Sequence, residues 1–248
     1  MIYHFLAAAF VAVFTFSSAI SATPEIQKPS DIPVAAFAAL PTFDHAQLSP
    51  DGKRVAYYLS HLGRRHIYIQ TLKGADPFVI PPWRENMEIV HFFWKTDDTI
   101  IFKVSMTLNR AEFYSRTEES RTISVNIKTK KTKWLGRPET RRSNSEYMSQ
   151  HERIIDRLPD DPEHLLLQLD FELDAQPDVY KVNINTGRRK KVKTGKKGVN
   201  NWYADQSSEI RLGIGYKHKS TKRKVFFKNK DGKWVNLENV DWADKYDI

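Results

Sequence analysis

The chain contains no cysteine in 248 residues. That absence excludes a disulfide framework, a thiol nucleophile and a thiolate-bound metal. Also missing are a Gly-x-Ser-x-Gly nucleophile elbow, a glycine-rich phosphate loop and histidines at metal-ligand spacing. After the N-terminus there is no further long apolar run, so no later segment reads as a membrane span. Without covalent staples, stability must come from apolar burial. A chain of this length is long enough for one sizeable domain, burying roughly 70% of its unfolded surface.

The one long apolar run covers Phe5 to Phe16, and Ser17, Ser18, Ala19, Ser21 and Ala22 follow it as a small-residue tail. This is the layout of a secretory signal peptide over residues 1–22, with cleavage expected after Ser21 or Ala22. The segment before the run holds His4 but no lysine or arginine. A retained anchor would want about 20 apolar residues, and this run turns small and polar sooner, so cleavage is favoured. The mature protein is therefore expected in the periplasm or outside the cell, with no transmembrane span. Lysine and arginine outnumber aspartate and glutamate by 39 to 30, a net charge of +9. Much of the excess lies in Arg188, Arg189, Lys190, Lys191, Lys193, Lys196 and Lys197. A nucleic-acid patch and a solvated turn between strands both fit such a run. An exported protein seldom meets nucleic acid, which favours the turn and leaves only a weak, salt-screened attraction to anionic lipid or envelope polymer.

Residues 23–45 read as a linker and a short helix over Val34 to Leu40, capped by Ser30 or Asp31 and stopped by Pro41. From residue 46 the pattern is β. Val55, Tyr57 and Leu59 interleave with Ala56 and Tyr58, so both faces of that strand are apolar. A four-strand unit then recurs, beginning near residues 46, 91, 155 and 200. Each copy has an aspartate turn: Asp51-Gly52, Asp97-Asp98, Asp160-Asp161 and Asp205. Later strands follow at Ile67–Ile69, Ile123–Ile127, Val179–Ile184 and Val225–Phe227. Trp94 with Asp97 and Trp202 with Asp205 repeat one spacing, and a polar insertion, Gly136 to Glu152, lengthens the second unit. Four-stranded units at a spacing of about 40–50 residues are the signature of propeller blades. The fold expected is all-β: an incomplete or small β-propeller of four blade-like antiparallel sheets over 46–90, 91–154, 155–199 and 200–248. Val55, Tyr57, Ile67, Ile69, Ile101, Leu166 and Tyr180 should be buried. The aspartates serve the turns, since Asp bonds its own backbone there. None has the spacing of a calcium loop.

Leu48-Ser49-Pro50-Asp51-Gly52-Lys53-Arg54-Val55-Ala56-Tyr57 resembles the opening blade motif of propellers in the prolyl oligopeptidase family of serine peptidases. Propellers of the Tol–Pal type share its Ser-Pro-Asp-Gly-Lys core. The lead-in Ile32 to Pro41 looks like exported bacterial acylaminoacyl and dipeptidyl-peptidase relatives, and Trp94 to Ile100 is similar to their second blade. The resemblance implies a propeller of seven or eight blades that caps an active site and filters peptides by size. It also implies a C-terminal α/β-hydrolase domain carrying a Ser, Asp and His triad. Here no elbow occurs, and the fourth unit is barely finished at Ile248.

No residue is assigned a catalytic, cofactor-binding or metal-binding role, and the substrate-binding residues are unknown. Ser60-His61, His66 and His91 read as turn chemistry, because a triad is a matter of geometry rather than adjacency. Glu118-Glu119 reads as an exposed charged loop, although relatives grip a substrate amine with paired glutamates. Trp83, Trp134, Trp234 and Trp242 read as packing between blades rather than a ligand surface. Three functions stay open: a non-catalytic propeller relative of an exported peptidase, a stand-alone periplasmic binding module, or the gating half of a split peptidase. The expected partners are peptides, a separate hydrolase domain, or a second copy joined through open blade edges. No cofactor is expected.

Overall fold

Short alternating segments separated by Asp, Asn and Gly turns can only pair with their neighbours, and that is how the chain folds. The computed structural model describes residues 39–110, 115–137, 152–172, 174–216 and 223–237. The signal segment, the linker, residues 34–38 of the expected helix, residues 138–151 of the insertion and Trp242 lie outside the described residues. Among the described residues every regular element is a strand.

Four antiparallel sheets follow one another along the chain, each a four-stranded meander in sequence order. The first holds β1 (Phe43–Leu48), β2 (Arg54–His61), β3 (Arg64–Thr71) and β4 (Phe78–Ile80). The second holds β5 (Met87–Thr96), β6 (Thr99–Arg110), β7 (Ser115–Asn126) and β8 (Thr132–Trp134). The third holds β9 (Arg153–Asp156), β10 (His164–Leu169), β11 (Asp178–Asn183) and β12 (Arg189–Lys193). The fourth holds β13 (Asn201–Ala204), β14 (Ile210–Tyr216), β15 (Arg223–Lys228) and β16 (Trp234–Asn236). The chain is thus all-β, built of four blade-like sheets of the propeller kind.

The turns follow from local chemistry. The Asp51 carboxylate accepts hydrogen bonds from Ser49 Oγ (2.7 Å) and the Lys53 N–H (3.1 Å). Gly52 sits at φ +68, a conformation that costs glycine nothing. Asn126, Asn183 and Asp205 take two backbone N–H groups each in the same way.

Three buried clusters join the sheets in order. Ile100, Phe102, Val104 and Met106 of β6 pack against Ala56, Tyr58, Ile67 and Ile69 of the first sheet. Ile101, on the opposite face of β6, packs with Phe93 and Leu135 against Leu165, Leu167, Leu169 and Val182 of the third. Leu166 and Val179 then meet Trp202 and Phe226 of the fourth. The buried Gln168 completes that last junction. Its amide donates to the Asn200 carbonyl (2.8 Å), and its oxygen accepts the Trp202 N–H (2.8 Å).

Ile67, Ile69, Ile101 and Leu166 are buried as the pattern predicts, whereas Val55, Tyr57 and Tyr180 are only half-buried. On β2 the buried residues are Ala56 and Tyr58, which face the second sheet. Val55 and Tyr57 face the other way, where no described sheet packs. Tyr180 packs at the margin of the cluster between the second and third sheets, beside Phe171 with ring centroids 5.5 Å apart.

Candidate functional site

The first strands of successive sheets converge, β1 on β5 and β9 on β13. Their hairpins are irregular. β1 carries an extra residue between Asp44 and Gln47, β5 one between Ile89 and His91, and β9 one between Asp156 and Ile154. A bulge re-aims the side chains beside it. On β5 the effect is legible: Met87 and Ile89 face the first sheet, the phase slips at Val90, and Phe92 takes the inward position instead of His91. His91 pairs with Lys103 and so shares the face that looks to the third sheet. His45 sits within the β1 bulge at φ +53, unusual for a residue with a side chain.

These irregularities bring together side chains from three sheets. The His45 ring stacks on Tyr58 (5.4 Å), meets Phe92 edge-on (5.1 Å), and lies 5.7 Å from the His91 ring. Arg157, just after β9, places Nη2 3.2 Å from His91 Nε2 and its guanidinium 4.0 Å over the Phe93 ring. Guanidinium only donates, so His91 Nε2 accepts and the ring carries its proton on Nδ1. Gln47 Nε2 lies 3.2 Å from the Phe92 carbonyl and 2.6 Å from His45 Nε2. The carbonyl fixes that amide as a donor, which makes His45 Nε2 an acceptor too. Burial lowers the His91 pKa, and the neighbouring Arg157, His45 and Lys103 push it the same way. Among the described residues no carboxylate pairs with Arg157. Of this cluster the sequence had singled out only His91, and as turn chemistry. Register slips leave no mark on composition, so His45, Gln47 and Arg157 were not recognisable.

A second polar centre lies between the second and third sheets. β8 ends at Trp134, which leaves the Thr122 N–H of β7 without a strand partner, and the Glu152 carboxylate accepts it. Gly136 makes room, since a Cβ there would lie 2.6 Å from Glu152 Oε2. Burial raises the Glu152 pKa to about 7 against the pull of Thr122, Lys103 and Trp134. Thr122 Oγ1, Trp134 Nε1 and Glu152 Oε2 are buried without a completed hydrogen bond. Lys103 Nζ donates to the Glu152 carbonyl at 3.0 Å, and burial lowers its pKa.

The remaining candidates fall elsewhere. Ser60 Oγ donates to the Pro41 carbonyl (2.6 Å), and the His61 ring packs edge-on against His66 (5.8 Å). Glu118 and Glu119 do not form an exposed loop. They lie on β7, where Glu118 accepts from Ser105 Oγ (2.6 Å) and Glu119, opposite the buried Met106, is itself buried. Strand alternation separates them. The basic run is not a solvated turn either, because Arg189–Lys193 is the edge strand β12. Its cations lie along aromatic rings: Arg189 over Phe171 (4.3 Å), and Lys193 over Trp234 (3.9 Å) and Trp202 (5.0 Å). Trp134 is covered by Arg121 at 4.4 Å, whereas Trp83 is half exposed beside Phe102. A cleft of about 210 Å³ between β10 and β11 is lined by Asp170, Glu172, Asp174 and Asp178. Burial acts to raise the Asp178 pKa, but Lys191, the Gly195 N–H and Tyr180 outweigh it and lower it. Asp170 accepts the Asp174 and Ala175 N–H groups. No group of residues suited to a metal ion occurs among the described residues.

Four meandering sheets stacked in chain order, with a polar rim on the converging first strands, define a propeller-type module. Over 82% of its length the chain is similar, at 14% identity and a TM-score of 0.47, to 33% of an acylaminoacyl peptidase solved with a Z-Gly-Gly-Phe-chloromethyl ketone. It is similar over 84% of its length to 33% of the Pyrococcus horikoshii acylaminoacyl peptidase, at 14% identity and a TM-score of 0.46. The β-propeller domain of the Pyrococcus furiosus Trilobed protease gives 13% identity and a TM-score of 0.44 over 79% of this chain and 57% of that one. The chain thus spans a third of the length of those acylaminoacyl peptidases. No protein-family profile matches the sequence, and no curated protein does.

Proposed function

We propose that the chain is a non-catalytic, exported propeller module that binds peptides, serving the gating role that its opening motif implies. The observation that carries this is the concentration of unusual backbone and polar side chains on the converging first strands. A binding module needs a rigid scaffold with side chains gathered at one rim, and the four packed sheets supply both. Hydrolysis would need an activated nucleophile, a base within hydrogen-bond reach and preorganised oxyanion donors. Ser60, the one serine beside a histidine in the candidate set, gives its hydroxyl to a backbone carbonyl instead. The test is a serine-directed fluorophosphonate probe together with peptide, acyl-peptide and ester substrates. The expectation is no labelling and background turnover. Stoichiometric labelling of one serine, abolished by prior heat denaturation, would overturn the proposal.

Export is part of the same reading and rests on the Phe5–Phe16 run and its small-residue tail. N-terminal sequencing of protein from an envelope fraction should begin at Ala22 or Thr23, and an intact Met1 would contradict it. The partners proposed are a separate α/β-hydrolase domain and a second copy. Support for an edge contact comes from β1, an edge strand whose Phe43 and Leu48 are 67% and 60% exposed.

A further inference from the structure

We propose that His45, His91 and Arg157 form an oxyanion-binding site, which takes a carboxylate or phosphate group at the rim of the first three sheets. The inference deepens the reading of the chain as a binding module and rests on it. Its first support is charge. Arg157 keeps a permanent positive charge and several N–H donors, yet its polar contact is the neutral acceptor His91 Nε2. A guanidinium answered by an imidazole lone pair is left without a counter-ion, and Lys103 on the same face adds a second cation beside His91. Among the described residues no carboxylate pairs with Arg157, whereas Lys103 has the Glu152 and Glu118 carboxylates near it, so the uncompensated charge is that of Arg157. Guanidinium geometry suits planar carboxylate and tetrahedral phosphate alike.

The second support is backbone geometry. His45 lies in the left-handed region within the β1 bulge, and His91 follows the β5 bulge. Leu158, next to Arg157, also has a positive φ of 50. Non-glycine residues in that region are strained and persist where the surroundings over-determine them. Here three separate irregularities, on three strands or their ends, serve one cluster. The third support is tautomer control. Gln47 and Arg157 occupy the Nε2 lone pairs of the two histidines, which leaves each ring an Nδ1–H donor. The aromatic wall of Tyr58, Phe92 and Phe93 holds these rings in place and gives one side of the site an apolar surface.

A bound anion would favour protonation of His91 at Nε2, which ends the hydrogen bond from Arg157 and frees that guanidinium for the anion. The groups around His91 that now oppose its protonation are Arg157 after β9, His45 on β1 and Lys103 on β6. By linkage, affinity should rise as the pH falls through the His91 titration. The experiment follows the histidine ring resonances of the intact protein by NMR. One titration uses inorganic phosphate; another uses an N-acetylated tripeptide with a free C-terminal carboxylate; the C-terminal amide of that tripeptide is the third. Saturable shifts of His45 and His91 with phosphate alone would assign the site to phosphate groups. The same shifts with the free tripeptide but not its amide would assign it to peptide carboxylates, and both results support the proposal. Arg157→Gln should weaken binding at least about tenfold, with the His45 resonances confirming that the fold survives. His91→Gln should remove the pH dependence, and Lys190→Gln on β12 should change nothing. Equal binding by Arg157→Gln, equal loss in Lys190→Gln, or no shift with any probe would overturn the proposal. These outcomes are distinct from fluorophosphonate labelling, which bears on catalysis alone.

Discussion

At the scale of the residue, Glu152 shows how one side chain can couple two sheets. Its carboxylate stands where the next carbonyl of β8 would have stood, accepting the Thr122 N–H that the short strand leaves open. The folded-state pKa is raised to about 7 from an ordinary 4.5. Between those values the folded protein holds a proton that the unfolded chain releases. Stability is therefore greatest at low pH on this account and falls as the pH rises toward neutrality, by roughly 3 kcal/mol at the full shift. Urea denaturation at a series of pH values should show this decline in the native protein and a flatter profile in Glu152→Gln. Equal slopes would refute it. Gly136→Ala should destabilise at every pH, because the added methyl overlaps the carboxylate and Leu169.

Among the elements, the middle strands carry the packing and the first strands carry the irregularity. Ile69 lies in the centre of β3 at 1% exposure, so Ile69→Ala should cost roughly 2–4 kcal/mol in a urea melt. Gln168→Met keeps the volume but strands the buried Trp202 N–H and the Asn200 carbonyl. A loss of about 1–3 kcal/mol for each buried group left without a partner is expected. A melt unchanged from the native protein would mean that Gln168 does not join these sheets. The four-sheet order was legible in the sequence because aspartate and asparagine turns punctuate alternating apolar runs, and the runs of β6 and β10 are apolar on both faces. Less legible was which face of β2 turns inward, since Tyr57 and Tyr58 are chemically alike and only packing separates them. The rim cluster was hidden for a related reason. The Val90 bulge moves His91 out of the inward phase, and no residue type announces a bulge. The basic run misled as well, because cations above Trp234, Trp202 and Phe171 satisfy β12 as an edge strand.

Among the described residues the molecule is a series of sheets in which each of the middle two is packed on both faces and the first and last on one. Clusters connect the first sheet to the second, the second to the third and the third to the fourth. Sedimentation velocity should show concentration-dependent self-association if the exposed β1 edge pairs with another copy, and Leu48→Glu should abolish it. A single species at all concentrations would remove the second copy from the proposed partners. Hydrogen–deuterium exchange read peptide by peptide tests the four sheets most directly. It should give four protected blocks, centred on β2–β3, β6–β7, β10–β11 and β14–β15, with the edge strands between them exchanging faster. Uniformly fast exchange, or protection missing from any one of the four blocks, would contradict it.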